Sequence, residues 1–384
     1  MTLFPRALRL PRESFFLLGP RGTGKSTWLR TVRTDARWVD LLREEVFQRL
    51  LVAPERFADE LRPLPRGSWV IVDEIQRLPS LLHEVHRVIE EQGLRFCLCG
   101  SSARKLRRAG VNLLGGRALK RAMHPLLPEE MGAAFDLEST LRHGTLPVIL
   151  ASEEREERLG AYAQLYLKEE VQAEALVRNL PGFARFLPIA ALYHGQSLNV
   201  ANIAREAGVA RTTVNGYLEI LEETLLCFRV EAHEARLRVR ERKHPKWYWC
   251  DPGLARAMKG GRGPLAIEER GALFEGWVAQ TLRAYRDYRG AFEDFSCWAP
   301  TESREVEVDF LLRRGAHFVA VEAKAGARFQ ENWCAGLRTI APLRGLKRRI
   351  VVCPHGPSMC LRDGIEVVPA LEFARMLSQN ALFP

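Results

Sequence analysis

The apolar positions of this chain follow two spacings. Phe15-Phe16-Leu17-Leu18, Trp69-Val70-Ile71-Val72 and Phe96-Cys97-Leu98-Cys99 are short unbroken runs. They are too brief for helices and read as strands buried on both faces. Arg37-Trp38-Val39-Asp40-Leu41-Leu42 reads as one further strand. Helical stretches separate them: one opens at Trp28-Leu29-Arg30, one runs from Phe47 to Leu61, and one spans Leu81–Gln92. Strands alternating with helices make an α/β pattern. From Glu129 to about Arg178 the spacing is again helical. Glu153 to Arg158 form its solvated face, and Tyr162, Leu165, Tyr166 and Leu167 its buried one. Val200–Ala207 and Ala210–Thr224 predict two helices about a turn at Gly208-Val209. Phe228–Glu231 and Arg236–Arg240 then alternate polar with apolar residues, as the strands of a hairpin do.

Gly260-Gly261-Arg262-Gly263-Pro264 is the best linker signal in the chain. A helix over Glu268–Tyr285 follows, then strands over Glu305–Leu312 and His317–Lys324 about a turn at Arg314-Gly315-Ala316. A helix near Glu331–Ile340 and a strand at Arg348–Cys353 complete the pattern. At 384 residues the chain exceeds one ordinary core. The expected domains are residues 1–128, 129–262 and 263–384.

Chemistry enters between the first strand and its helix. Gly19, Pro20, Arg21, Gly22, Thr23, Gly24, Lys25, Ser26 and Thr27 fill and extend the pattern G-x-x-x-x-G-K-[ST]. Its glycines let backbone N–H groups converge on phosphates at a helix N-terminus. Lys25 is expected to reach the β- and γ-phosphates of ATP, and the Ser26 hydroxyl to bind Mg²⁺. The strand at 69–72 ends in Asp73-Glu74. Asp73 at that end can hold Mg²⁺, while Glu74 can orient or deprotonate the attacking water.

Composition narrows the partners. The net charge of +10 favours a polyanion, and nucleic acid is the expected one. Eight cysteines without C-x-x-C spacing fit a reduced, cytoplasmic protein without a disulfide framework. Neither a membrane span nor a signal-peptide apolar region is expected. Only nine of the 57 basic residues are lysine, so a lysine inside a motif carries information. Lys25 and Lys324 are two such.

The motifs GPRGTGKST (19–27), DEIQRLP (73–79), GSSARKL (100–106), GGR (115–117), PLLPEEM (125–131), GQSLN (195–199), KWYWCDPGL (246–254) and GALFE (271–275) cover most of the chain. With them it resembles the AAA+-related P-loop ATPases of bacteria and archaea that carry a C-terminal domain of unknown function. The resemblance implies a P-loop AAA+-type ATPase domain and a helical segment near the nucleotide. It makes Ser101 or Ser102 the sensor of the γ-phosphate, and Arg117 an arginine finger or cis sensor; a finger acting in trans requires a homo-oligomer.

Two short helices about a glycine turn are the helix-turn-helix signature. Arg211, Thr212, Thr213 and Asn215 open the second helix, where base edges or phosphates would be met. With Arg238 and Arg240 on the following hairpin, the segment reads as a winged helix able to contact DNA. In the last domain, Glu275 shares an apolar helix face with Val278 and Leu282. Period two places Asp309 with Glu305 and Glu307, and Glu322 with Lys324. Helix acid, strand, strand with Asp, strand with Glu-x-Lys, helix, strand resembles the order of PD-(D/E)XK nucleases. By that resemblance Asp309, Glu322 and Glu275 hold Mg²⁺ or Mn²⁺, and Lys324 assists attack on a phosphodiester. The expected protein is an ATPase acting on nucleic acid with a metal-dependent C-terminal nuclease. The alternative is an ATP-gated DNA-binding switch whose C-terminal domain is inactive and only docks DNA or a partner.

Overall fold

The apolar runs of the N-terminal third pair with one another. The computed structural model describes residues 3–101, 115–166, 179–235, 237, 240–302 and 306–383. One compact unit comprises Leu8–His124 with Leu221–Leu226; the other comprises Met1–Ala7, Pro125–Ile220 and Cys227–Pro384. The middle and C-terminal segments, expected as separate domains, thus lie in one unit.

In the first unit, β1 (Phe15–Leu18), β2 (Arg37–Asp40), β3 (Trp69–Asp73), β4 (Arg95–Gly100) and β5 (Leu119–Ala122) form a parallel sheet in the order β2-β3-β4-β1-β5. The run Phe15–Leu18 is buried at every position because β1 has a strand on each side and helices cover the sheet. β5 has no apolar signature: its residues are Leu-Lys-Arg-Ala at a sheet edge, partly exposed. The single helix expected over 47–61 is two, α2 (Glu44–Val52) and α3 (Arg56–Leu61). Pro54 stands between them and has no N–H to continue the first. α1 (Lys25–Val32) follows the glycine-rich loop, and α4 (Leu81–Gln92) packs on the core with Phe57, Val70, Val72, Phe96 and Leu98.

The second unit opens with helical segments over Pro128–Tyr166. α5 (Leu180–Leu192), α6 (Val200–Ala207) and α7 (Arg211–Glu223) follow. The side chains of Leu165 and Tyr166, and all of Leu167, fall outside the described residues. β6 (Gln196–Ser197), β7 (Cys227–Val230) and β8 (Lys246–Trp249) make an antiparallel sheet in the order β6-β8-β7. β7 therefore pairs with Lys246–Trp249, where a hairpin with 236–240 was expected. Trp247, Tyr248 and Trp249 are wholly buried, whereas an arginine at every second position cannot be covered on both faces. Arg236, Arg238 and Val239 lie outside the described residues, and the Arg240 carbonyl accepts from the Thr301 N–H at 2.6 Å.

A long helix, α8 (Ile267–Arg289), leads to a mixed sheet. Its strands are β9 (Asp294–Trp298), β10 (Val308–Arg314), β11 (His317–Ala323), β12 (Leu346–Cys353), β13 (Met359–Cys360) and β14 (Ile365–Pro369). They lie in the order β13-β14-β12-β11-β10-β9. β10 starts at Val308, so Glu307 precedes it, and Glu305 lies outside the described residues. Between β9 and β11, with both faces covered, Val308 to Leu312 are fully buried, Asp309 included. The glycine-rich linker is no free tether. The buried Arg256 donates through Nη2 to the carbonyls of Arg262, Gly263 and Pro264 at 3.0, 3.1 and 3.0 Å, and through Nε to Glu269 at 2.9 Å. Among the described residues no helix is long and apolar enough to cross a membrane.

α8 passes His194 with no room for a side chain at Gly276: a Cβ there would lie 2.0 Å from His194 Nε2. Gly271, on the same helix, has nothing within 4 Å. Gly276→Ala is expected to lower stability by about 1–3 kcal/mol through overpacking. Gly271→Ala should raise it by up to ~1 kcal/mol, the helix-propensity gain. Urea midpoints at constant slope check both signs.

Candidate nucleotide site and carboxylate cluster

The loop 19–27 is shaped by backbone freedom and close approach. Gly22 and Gly24 sit at φ 74° and 84°, the left-handed region, and Gly24 caps α1. At Gly19 a Cβ would lie 2.3 Å from the Met123 carbonyl, while the Met123 N–H binds Leu18 O at 2.7 Å. Lys25 is buried, and its Nζ donates to the carbonyls of Gly19 at 2.7 Å and Pro20 at 3.0 Å. Thr23 Oγ1 donates to Pro20 O at 2.8 Å, which tightens the turn.

Asp73 ends β3, two strands from β1, and is buried. Its Oδ1 meets no hydrogen-bond donor among the described residues, which suits a hard cation. Glu74 adopts φ 58°, a left-handed conformation that costs about 1–3 kcal/mol outside glycine. Burial raises its carboxyl above the ordinary range, with Lys25 opposing and Asp73 adding to the shift. Gln76, which sequence reasoning passed over, holds this carboxylate. Its Nε2 donates to Glu74 Oε2 and, at 3.1 Å, to Ser101 Oγ at the end of β4. Gly100 makes room for it, since a Cβ there would lie 2.3 Å from Gln76 Oε1. The available signal was Gln76 itself, an uncharged polar residue two positions after the acid pair, between Ile75 and Arg77. Ser102 lies outside the described residues. Arg117 is brought to Glu90 on α4 and to the Gly115 carbonyl, a half-exposed ion pair.

At the start of α7, Arg211, Thr212 and Asn215 are exposed and Thr213 is half-buried. Asn199 caps the preceding helix by accepting from the Asn202 N–H at 3.1 Å. Arg238 lies outside the described residues, and Arg240 is exposed beside the strand region at 299–301 rather than on β7 and β8.

The C-terminal acids do come together, around Lys246 at the start of β8. Lys246 Nζ lies 2.7 Å from Asp309 Oδ1, 2.9 Å from Glu275 Oε1 and 3.3 Å from Glu307 Oε2. Tyr248, two residues on along β8, donates to Glu275 Oε1 at 2.5 Å. Asp309 Oδ2 accepts from the Ala323 N–H at 2.9 Å. Glu322 Oε1 pairs with Lys324 at 2.6 Å, and its Oε2 accepts from the Asp309 N–H at 3.3 Å. Burial opposes the charge on Asp309, but Lys246 and Lys324 outweigh it and hold that carboxyl below its ordinary range. Glu275 is pushed up to about 7, by burial first and then by Asp309, against the pull of Lys246. Burial and Asp309 likewise raise Glu322 well above the usual range. Among the described residues, no three His, Cys, Asp or Glu side chains are arranged to hold a metal ion. Of the expected Glu275–Asp309–Glu322 metal set, Glu275 and Asp309 share the Lys246 ammonium, while Glu322 pairs with Lys324.

Residues 11–132, which hold the loop, the acid pair and the parallel sheet, match the family model described as AAA domain. Residues 134–265 match Domain of unknown function (DUF8612), and residues 270–373 match Domain of unknown function (DUF4143). The chain is 29% identical over 362 residues to the uncharacterized protein Rv2008c of Mycobacterium tuberculosis and equally to Mb2031c of Mycobacterium bovis. Each match covers 92% of this chain and 79% of the relative. Among solved structures, the Aeropyrum pernix ORC1 protein in complex with DNA is 16% identical, covering 66% of this chain and 87% of that one, at TM-score 0.26. The replication initiator DnaA bound to AMPPCP and single-stranded DNA is also 16% identical, covering 56% and 84%, at TM-score 0.28. Likeness at that level carries no functional argument.

Gln76→Ala is expected to lower ATP turnover about ten- to hundredfold at unchanged KM, the worth of one hydrogen bond to a charged group. The acid limb of the pH–rate profile should move as well, because Glu74 loses its donor. A change in thermal stability alone, with rate and profile intact, would make Gln76 a packing residue only.

Proposed function

We propose that this chain binds and hydrolyses ATP with Mg²⁺ and couples that cycle to nucleic acid, DNA being the expected form. The carrying observation is Gln76, which ties Glu74 at the end of β3 to Ser101 at the end of β4, on the sheet whose β1 leads into the Lys25 loop. The glycine-loop N–H groups bind phosphate, and the Lys25 ammonium neutralises it. Ser26 and Asp73 would hold Mg²⁺, which supplies Lewis-acid polarisation of the phosphates when bound. Glu74 orients water and accepts its proton, with Gln76 fixing the carboxylate. A raised pKa makes that carboxylate a better base.

On the nucleic-acid side, α5, β6, α6, α7, β7 and β8 follow the order of a winged helix, and the exposed Arg211, Thr212 and Asn215 support contact at the start of α7. Three domains remain the reading, with the AAA-type segment acting in a homo-oligomer if Arg117 leaves Glu90 to serve a neighbouring site. Lys25→Ala should abolish nucleotide binding or hydrolysis. Glu74→Gln should keep binding and lose about 10²–10⁴ in turnover. ATPase rate with and without duplex, single-stranded and branched DNA tests the coupling. Arg211→Ala should reduce the salt slope of DNA affinity by about 1. Rates and affinities blind to DNA and to salt would sink the nucleic-acid half of the reading.

For the C-terminal domain, the surrounded Lys246 favours the docking role. A nuclease is the second reading, supported by the contact of Asp309 with Glu322 and by Lys324 beside them. Metal-dependent cleavage that Asp309→Ala and Lys324→Ala each remove, with ATP hydrolysis intact, would establish it.

A further inference from the structure

The ammonium of Lys246 has three donors, and three carboxylates stand within 3.3 Å of it. They come from three places in the chain: Glu275 on α8, Glu307 ahead of β10, and Asp309 within β10. The lysine stem descends from β8, beside Trp247 and Tyr248, both fully buried. The loop bearing Glu307 is held in place as well. Gly336 packs so closely on it that a Cβ would lie 1.7 Å from the Glu307 carbonyl.

A hard divalent cation bound by these acids would sit about 2.0–2.6 Å from their oxygens. That point is taken by a positive nitrogen at 2.7–3.3 Å, and two such charges cannot share it. Access is not the obstacle. A cleft of about 640 Å³, lined by Gln196, Ser197, Arg242, His244, Lys246 and Glu307 among others, reaches the cluster.

We propose that Lys246 is the resident cation of this carboxylate cluster and keeps divalent metal out of it, so that removing its ammonium leaves Glu275, Glu307 and Asp309 to close in on one divalent metal ion. The proposal goes beyond the ATPase and nucleic-acid readings and does not rest on them. It assigns β8 a second role, as the strand that carries the counter-charge into the acids of the neighbouring sheet.

The test uses the full chain without nucleotide and Mn²⁺ as the probe, with bound metal counted by electron paramagnetic resonance. Wild type and Lys246→Arg are expected to take up no Mn²⁺ that depends on Asp309. Lys246→Met keeps the apolar stem and is expected to gain one Mn²⁺ per chain, lost again in Lys246→Met/Asp309→Asn. Circular dichroism runs alongside. If Lys246→Met is unfolded alone, recovery of structure on adding Mn²⁺, abolished by Asp309→Asn, is the same result in another readout. Mn²⁺ uptake by wild type that Asp309→Asn removes overturns the proposal and strengthens the nuclease reading. A Lys246→Met chain that neither binds Mn²⁺ nor regains structure with it overturns the proposal as well. The ATP site is read separately by turnover in the same samples, so its failure is distinct from this one.

Discussion

A carboxylate taken out of water must be given donors or cations, or it gives up its charge. Each buried acid in this chain answers that constraint in its own way. Glu130 accepts from the backbone N–H groups of Ala7 and Leu127, with Arg6 at 3.3 Å. Asp251 accepts from the N–H groups of Thr145 and Leu254 at 2.7 and 2.9 Å, and burial still pushes it up to about 6. Glu74 takes an amide from Gln76, and burial still raises its carboxyl above the ordinary range. The cluster at Asp309 has one ammonium for three acids, so Asp309 keeps its charge while Glu275 drifts toward protonation. Where the protein folds tightly and where it can do chemistry are both set by how these debts of charge are met.

The parts of this arrangement that are local were legible in the sequence. The strand–loop–helix at 15–32 and the strand ending in Asp73-Glu74 were readable because apolar runs, glycines and acids sit next to one another along the chain. The helix pair at 200–223 was readable for the same reason, since one glycine turn separates two amphipathic segments.

What was not legible is what the tertiary structure adds from a distance. β7 chose a partner sixteen positions on, because three consecutive aromatics needed an interior, and no alternation rule sees that far. Lys246 is the sharper case. It is one of nine lysines in an arginine-rich chain, and that scarcity was already an argument for Lys25 and Lys324. Applied to Lys246 it would have pointed inward, because a compact ammonium turns its three donors to three acids at once. Next to Arg242 and Lys243, however, it reads as one more surface charge. For Arg117 the motif suggests a catalytic role, while within the folded chain its partner is Glu90.

The segment Gly260 to Pro264 has the composition of a swivel, yet one guanidinium grips three of its carbonyls and anchors to Glu269 as it does so. A swivel absorbs torque; a riveted joint passes it on. A displacement of the helix that bears Arg256 would therefore be carried into the start of α8 without slack at this junction.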